Sequence, residues 1–165
     1  MLYMLTTGKS DKRMTEVKEA LSEQFEMKGI GELHHFLGVK VIQDQKGGQV
    51  SIGQPADTKS ILSKFGMDNA KPANTPVDVS AKLVKATDDS ERIDQVQYRS
   101  AVGRLLYLST KTRPEITYAV SNVAIFCAEP TKQHWTAVKR IMRYLNGTPE
   151  QGLFYSKGKN RKCVG

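Results

Sequence analysis

The sequence predicts an α+β chain, and three features carry that prediction. Residues 32–54 hold two runs rich in β-branched and aromatic residues, "ELHHFLGVKVIQD" and "VSIGQ", on either side of "QKGGQ". That is the composition of a hairpin turning at Gly47 and Gly48. Residues 95–146 hold three apolar patterns at three- and four-residue steps, separated by the prolines Pro114 and Pro130, and these read as three successive helices. Strand and helix signals are thus segregated along the chain instead of alternating.

The elements follow in order. A short apolar run from Leu2 predicts a first strand, and Ser10 then caps a helix over 10–25 that repeats Met14, Val17, Leu21 and Phe25 on one face. Gly29 and Gly31 break it before the hairpin. Pro55 opens a short helix with Ile61, Leu62 and Phe65, closed by Gly66. "KPANTPVD" begins a turn-rich connector without periodicity up to about Gln95, long for a compact domain and therefore read as functional or linking. The three helices are expected over 95–110 (Tyr98, Val102, Leu105, Leu106, Leu108), 114–128 (Ile116, Ala119, Val120, Val123, Phe126) and 131–146 (Trp135, Val138, Ile141, Met142, Leu145). Gly147 ends the last one, "GLFYS" forms a strand, and "RKCVG" begins another. This divides the chain into 1–70, a linker over 71–97, and a basic helical part over 98–165.

Composition narrows the function classes. A chain of 165 residues with 39% hydrophobic and 25% charged residues can bury one core. It has no 18-residue apolar run and no signal-peptide start, so neither a membrane span nor a membrane partner is expected. Two cysteines, Cys127 and Cys163, do not make a disulfide scaffold, and an intracellular chain, cytoplasmic or nuclear, is expected. Asn146-Gly147-Thr148 then reads as a helix-ending turn and not a glycosylation site. Charge is the most informative quantity. Residues 1–98 carry 13 Lys/Arg against 14 Asp/Glu, whereas residues 99–165 carry 12 against three, Glu115, Glu129 and Glu150. An excess so confined points to a polyanionic partner.

Candidate chemistry divides unevenly. "TTGKSD" resembles the end of a phosphate-binding loop, but its opening glycine would have to stand at position 3, which is Tyr3. A strand–turn–helix with Ser10 as cap accounts for it better. His34 and His35 are adjacent, so on a strand they face opposite ways and cannot share a metal. Cys127 and His134 form only a loose thiol–imidazole pairing across a turn, with the thiol at a helix end that does not activate it. Asp88-Asp89, Glu91 and Asp94 read as solvation of the connector. No catalytic, metal or cofactor residue is assigned. The strongest binding element is the helix over 131–146. At about 100° per residue, Lys132, Lys139 and Arg143 fall on one stripe around Thr136, Arg140 borders it, and the apolar stripe lies alongside. Such a helix can seat one face in a core while the other follows phosphates.

Several longer stretches go together. "FEMKGIGELHHFLGVKV", "ILSKFGM", "KPANTPVD", "YRSAVGRLLYLSTKTRPEITYAVS" and "HWTAVKRIMRYLNGTPEQGLFY" resemble the Pol polyprotein of copia-type LTR retrotransposons, essentially end to end. The resemblance implies the reverse-transcriptase region, from the end of the palm through thumb and connection. The implied fold is a partial reverse-transcriptase fold whose three-helix segment leads into a truncated ribonuclease-H-like strand pair. By the same resemblance Phe36, Leu37 and Gly38 match the primer grip, Lys132, Lys139, Arg140 and Arg143 contact template–primer phosphates, and magnesium belongs only to the intact enzyme.

Two departures from the family govern the expected enzymology. Where the family reads Leu-Tyr-Val-Asp-Asp, this chain has Leu2-Tyr3 followed by Met4-Leu5. Where it continues past "CVG" to the first acid of ribonuclease H, this sequence ends at Gly165. A milder change puts Glu115 where "TRPDI" has aspartate. Two-metal phosphoryl transfer needs acids that hold ions about 3.5–4 Å apart. The expectation is a catalytically incomplete chain that retains weak, sequence-independent affinity for template–primer. The alternatives are a piece of a longer active Pol protein, acting with the remaining Pol segments, and a co-opted protein-interaction module.

Overall fold

The computed structural model describes residues 4–8, 10–44 and 46–157. They fall into two units, one running to Leu33 and the other starting at His34. In the first, residues 4–8 form no strand, and Leu2 and Tyr3 of the expected strand lie outside the described residues. Helix α1 spans Asp11–Gln24, with Ser10 as N-cap accepting from the Arg13 N–H. Its expected apolar stripe is present but not buried, since Val17 and Phe25 are exposed.

The second unit holds a four-stranded antiparallel sheet in the order β1-β2-β3-β4 and a helical core. The first β-rich run is not one strand. It divides into β1 (His35–Phe36) and β2 (Val39–Asp44), paired His35 to Lys40 and Phe36 to Val39 around Leu37-Gly38. Both turn residues have left-handed backbones, φ 49° and 78°, which defines the tight turn that matches strand twist. Strand β3 (Gln49–Gly53) pairs with β2, turning at Gly47 and Gly48 as predicted, and the Asp44 carboxylate accepts from the Gly47 N–H at 2.9 Å. Strand β4 (Gly152–Ser156) is the predicted "GLFYS" strand. It pairs with β3 from Gly53–Gly152 to Gln49–Ser156, a partner about 100 residues earlier that periodicity cannot specify. Gly152 is required there, because a Cβ would collide with the Ile52 backbone. The strand expected from Arg161 lies outside the described residues.

The core lies among the helices. Helix α2 (Pro55–Lys64) supplies Ile61 and Leu62, α3 (Gln95–Lys111) supplies Tyr98, Leu105 and Leu108, α4 (Thr117–Ala124) supplies Val120 and Val123, and α5 (Lys132–Gly147) supplies Val138, Ile141, Met142 and Leu145. Helix α4 is shorter than its pattern predicts. A 3₁₀ turn at Pro114–Ile116 leads into it, and it ends at Ala124, leaving Phe126 half-buried in the loop beyond. Leu106, read from periodicity as one of the apolar set, is exposed. Tyr98 is fully buried, and its hydroxyl donates to the Val123 carbonyl at 2.7 Å, joining α3 to α4.

Two buried polar side chains fasten sheet to helices. Gln54, between β3 and α2, donates to Asp57 at 2.8 Å and accepts from the Thr112 hydroxyl at the end of α3 at 3.1 Å. Next to it in sequence, Arg113 is 1% exposed. Its guanidinium donates to Glu115, to the Thr148 carbonyl at 2.9 Å and to the Thr148 hydroxyl at 2.6 Å, just before β4. A buried charge keeps its place only when paired and fully hydrogen-bonded. Glu115→Ala therefore leaves the guanidinium with only the neutral acceptors of Thr148 and no counter-charge. Urea unfolding should show a loss of about 3 kcal/mol, towards the low end for broken buried pairs because Glu115 is partly exposed. Glu115→Asp should lose less.

Candidate nucleic-acid interface

The hairpin tip is the first candidate. Gly38, inside a run expected to be strand, instead occupies the second turn position, and a Cβ there would lie 2.9 Å from the Asp57 carboxylate. Leu37 holds φ 49°, a region that costs an L-residue with a Cβ about 1–2 kcal/mol. Its side chain is exposed, and its carbonyl accepts from the Tyr107 hydroxyl of α3 at 2.8 Å. The turn thus presents an apolar side chain outward while a helix holds its backbone. Strain of this kind persists only where surrounding structure enforces it. Phe36 is half-buried behind it.

The second candidate is the polar face of α5. Thr131 and His134 form a reciprocal capping box at its start: the Thr131 side chain accepts from the His134 N–H, and His134 Nδ1 accepts from the Thr131 N–H at 3.0 Å. The connector, expected as a linker over 71–97, runs only to Asp94 before α3 and is laid along this helix. The Arg143 guanidinium donates to the Lys71 carbonyl at 2.6 Å and the Arg143 carbonyl accepts from the Ala73 N–H at 3.2 Å. Arg140 pairs with Asp78 at 3.2 Å and donates to Thr75 at 3.0 Å. Two hydrogen bonds from Ser80, with the Arg140 charge nearby, hold the Asp78 carboxyl below its usual range. Lys132 pairs with Glu91 at 2.9 Å, and Lys139 sits 5.9 Å from the Trp135 ring centre.

Together these contacts build a cleft of about 910 Å³ between the connector, α4 and α5. Lys139, Arg140 and Arg143 line it, as do Tyr118 and Ile125. Lys132 does not line this cleft, nor do Phe36, Leu37 and Gly38. The Cys127–His134 pairing has a structural explanation. His134 is fully buried, and with Nδ1 accepting, its Nε2–H donates to the Val84 carbonyl at 2.8 Å, while the ring stacks 3.9 Å from Phe126. Burial pushes the Cys127 thiol up, which disfavours the thiolate. Asp88 and Asp89 are exposed in a turn. Among the described residues no three His, Cys, Asp or Glu side chains gather as a metal-ligand group, and no helix is long and apolar enough to cross a membrane.

Tyr107, Tyr118 and Asp78 were not singled out from sequence. Tyr118 carried a faint signal, as an aromatic residue off the apolar stripe of its helix. Tyr107 and Asp78 carried none, because their partners are 70 and 62 residues away.

Comparison with known proteins agrees with the motifs. Residues 2–79 match the family described as "Reverse transcriptase (RNA-dependent DNA polymerase)". The chain is 37% identical over 150 residues to the retrovirus-related Pol polyprotein from transposon TNT 1-94 of Nicotiana tabacum, covering 88% of this chain and 11% of that protein. It is 37% identical over 155 residues to that from transposon RE2 of Arabidopsis thaliana, covering 94% and 10%. An uncharacterised mitochondrial protein of Arabidopsis thaliana is 36% identical over 160 residues, 95% of this chain and 65% of its own length. No solved structure matches. Residues 2–79 thus match the reverse-transcriptase family, and over most of its length the chain is similar to Pol polyproteins of copia-type transposons. It spans about a tenth of the length of the Pol polyproteins it matches.

The turn strain gives a direct test. Asn-Gly is the favoured pair where both central residues have positive φ. Leu37→Asn should therefore stabilise the fold by about 0.5–1 kcal/mol, the order of effect for relieved backbone strain, seen as a raised thermal midpoint.

Proposed function

We propose that this stretch of Pol holds template–primer nucleic acid and does not itself transfer nucleotides. The observation that carries the reading is the confinement of excess positive charge to residues 99–165, with three of its cations along one cleft. Phosphates arrayed along a strand meet such cations without regard to base sequence, so binding is driven by charge and shape. The matching of Phe36, Leu37 and Gly38 to the family's primer grip supports a second contact at the hairpin tip. There the exposed Leu37 offers apolar surface to a primer end, and the Tyr107 hydroxyl keeps the turn backbone from yielding.

Two-metal nucleotide transfer needs gathered acids, and among the described residues no three His, Cys, Asp or Glu side chains form such a group. The adjacent acid pair Asp88-Asp89 is exposed on the connector, and Met4-Leu5 follow Tyr3 where the family carries its aspartates. In a longer Pol polyprotein the same holding role would serve a polymerase whose acids stand in other segments.

The reading predicts a salt-dependent complex. Each neutralised phosphate contributes a slope of roughly −0.7 to −0.9 in log affinity against log salt. Fluorescence anisotropy with a primed RNA template should give a slope of about −2 to −3. Lys139→Ala combined with Arg143→Ala should flatten it by about 1 to 2. Primer extension with magnesium should be absent. Flat salt dependence, or extension of the primer, would contradict the proposal.

A further inference from the structure

From the shape of the cleft beside α5 we infer that its occupant is an unpaired nucleic-acid strand rather than a duplex. This rests on the holding role proposed above and adds the class of ligand. The cleft is recessed, not a raised basic ridge, and its lining is mixed. Lys82, Lys139, Arg140 and Arg143 surround it, and its single acid, Asp78, is already engaged by Arg140 and Ser80. Tyr118, 70% exposed, and Ile125, 72% exposed, line the same cleft. Two large apolar side chains in water, sharing a cleft with several cations, fit a ligand with flat apolar faces and a phosphate backbone. Unpaired bases stack on an aromatic ring regardless of identity, while cations follow the backbone. A duplex keeps its bases stacked on one another and presents phosphates, sugars and base edges but no open base face along its length, so it leaves the Tyr118 ring without a stacking partner. The volume, about 910 Å³, lies at the upper end of ligand-sized clefts.

The test compares a labelled 12-nucleotide oligo-dT with a hairpin duplex of matching length, by anisotropy at fixed salt. The wild-type chain should prefer the unpaired strand. Tyr118→Ala should weaken oligo-dT binding by about 5- to 100-fold, the range for loss of one stacked base, and leave duplex binding unchanged. Tyr118→Phe, which keeps the ring, should bind like wild type and so separates stacking from any loss of folding. Equal or tighter duplex binding, a Tyr118→Ala variant that binds oligo-dT normally, or displacement of oligo-dT by an acidic peptide would overturn the inference. In the first two cases nucleic acid is still bound and the holding role stands. If neither nucleic acid binds, the holding role fails with it.

Discussion

A guanidinium shut away from water sets the frame of the helical unit. Arg113 follows α3, and its donors reach Glu115 in the next turn and Thr148 before β4. Its neighbour Thr112 reaches Gln54 between β3 and α2. Two consecutive residues therefore connect the end of α3 to both routes into the sheet. An isolated buried charge is so costly that each acceptor must stay in place, which makes this junction cooperative. Thr148 is held four residues before β4, whose register on β3 brings Gly152 close against Gly53.

The candidate interface depends on that frame. Helix α5 runs from its capping box to the Thr148 junction, burying Val138, Met142 and Leu145 and turning its cations outward. The connector attaches to those cations, so they serve the fold as well as any ligand. Arg140 is committed to Asp78 and Thr75, whereas the Lys139 ammonium lies over Trp135, where cation–π attraction leaves its charge open to an anion. The hairpin tip is held separately, through the Tyr107 hydroxyl.

Local pattern made the helices readable. Apolar residues of α3 and α5 recur at the helical period and are largely buried, and Ser10, Pro55, Gly47 and Gly48 act where turn and cap chemistry puts them. What escaped was non-local or conformationally costly. Leu37 was read as extended chain because leucine rarely takes a left-handed backbone, and nothing in the sequence marks Tyr107 as its support. The connector lacked periodicity because it meets α5 through scattered polar contacts and packs only the irregularly spaced Val77, Leu83 and Ile93 against the core. Arg113 was not singled out from sequence, since burial of a charge shows only when its partners are in view. Helical spacing grouped Lys132, Lys139 and Arg143; of these Lys139 and Arg143 line the cleft beside Arg140, Lys132 does not, and the aromatic lining was not legible.

The central claim is that this chain grips nucleic acid along α5 and at the hairpin tip. Hydrogen exchange with and without a saturating primed RNA template tests it most directly. The account predicts slowed exchange in two places, the backbone around Leu37–Gly38 and the connector segment over 71–84 that borders the cleft, with α1 unchanged. Exchange that is identical with and without the template, or protection confined to residues 10–25, would contradict it.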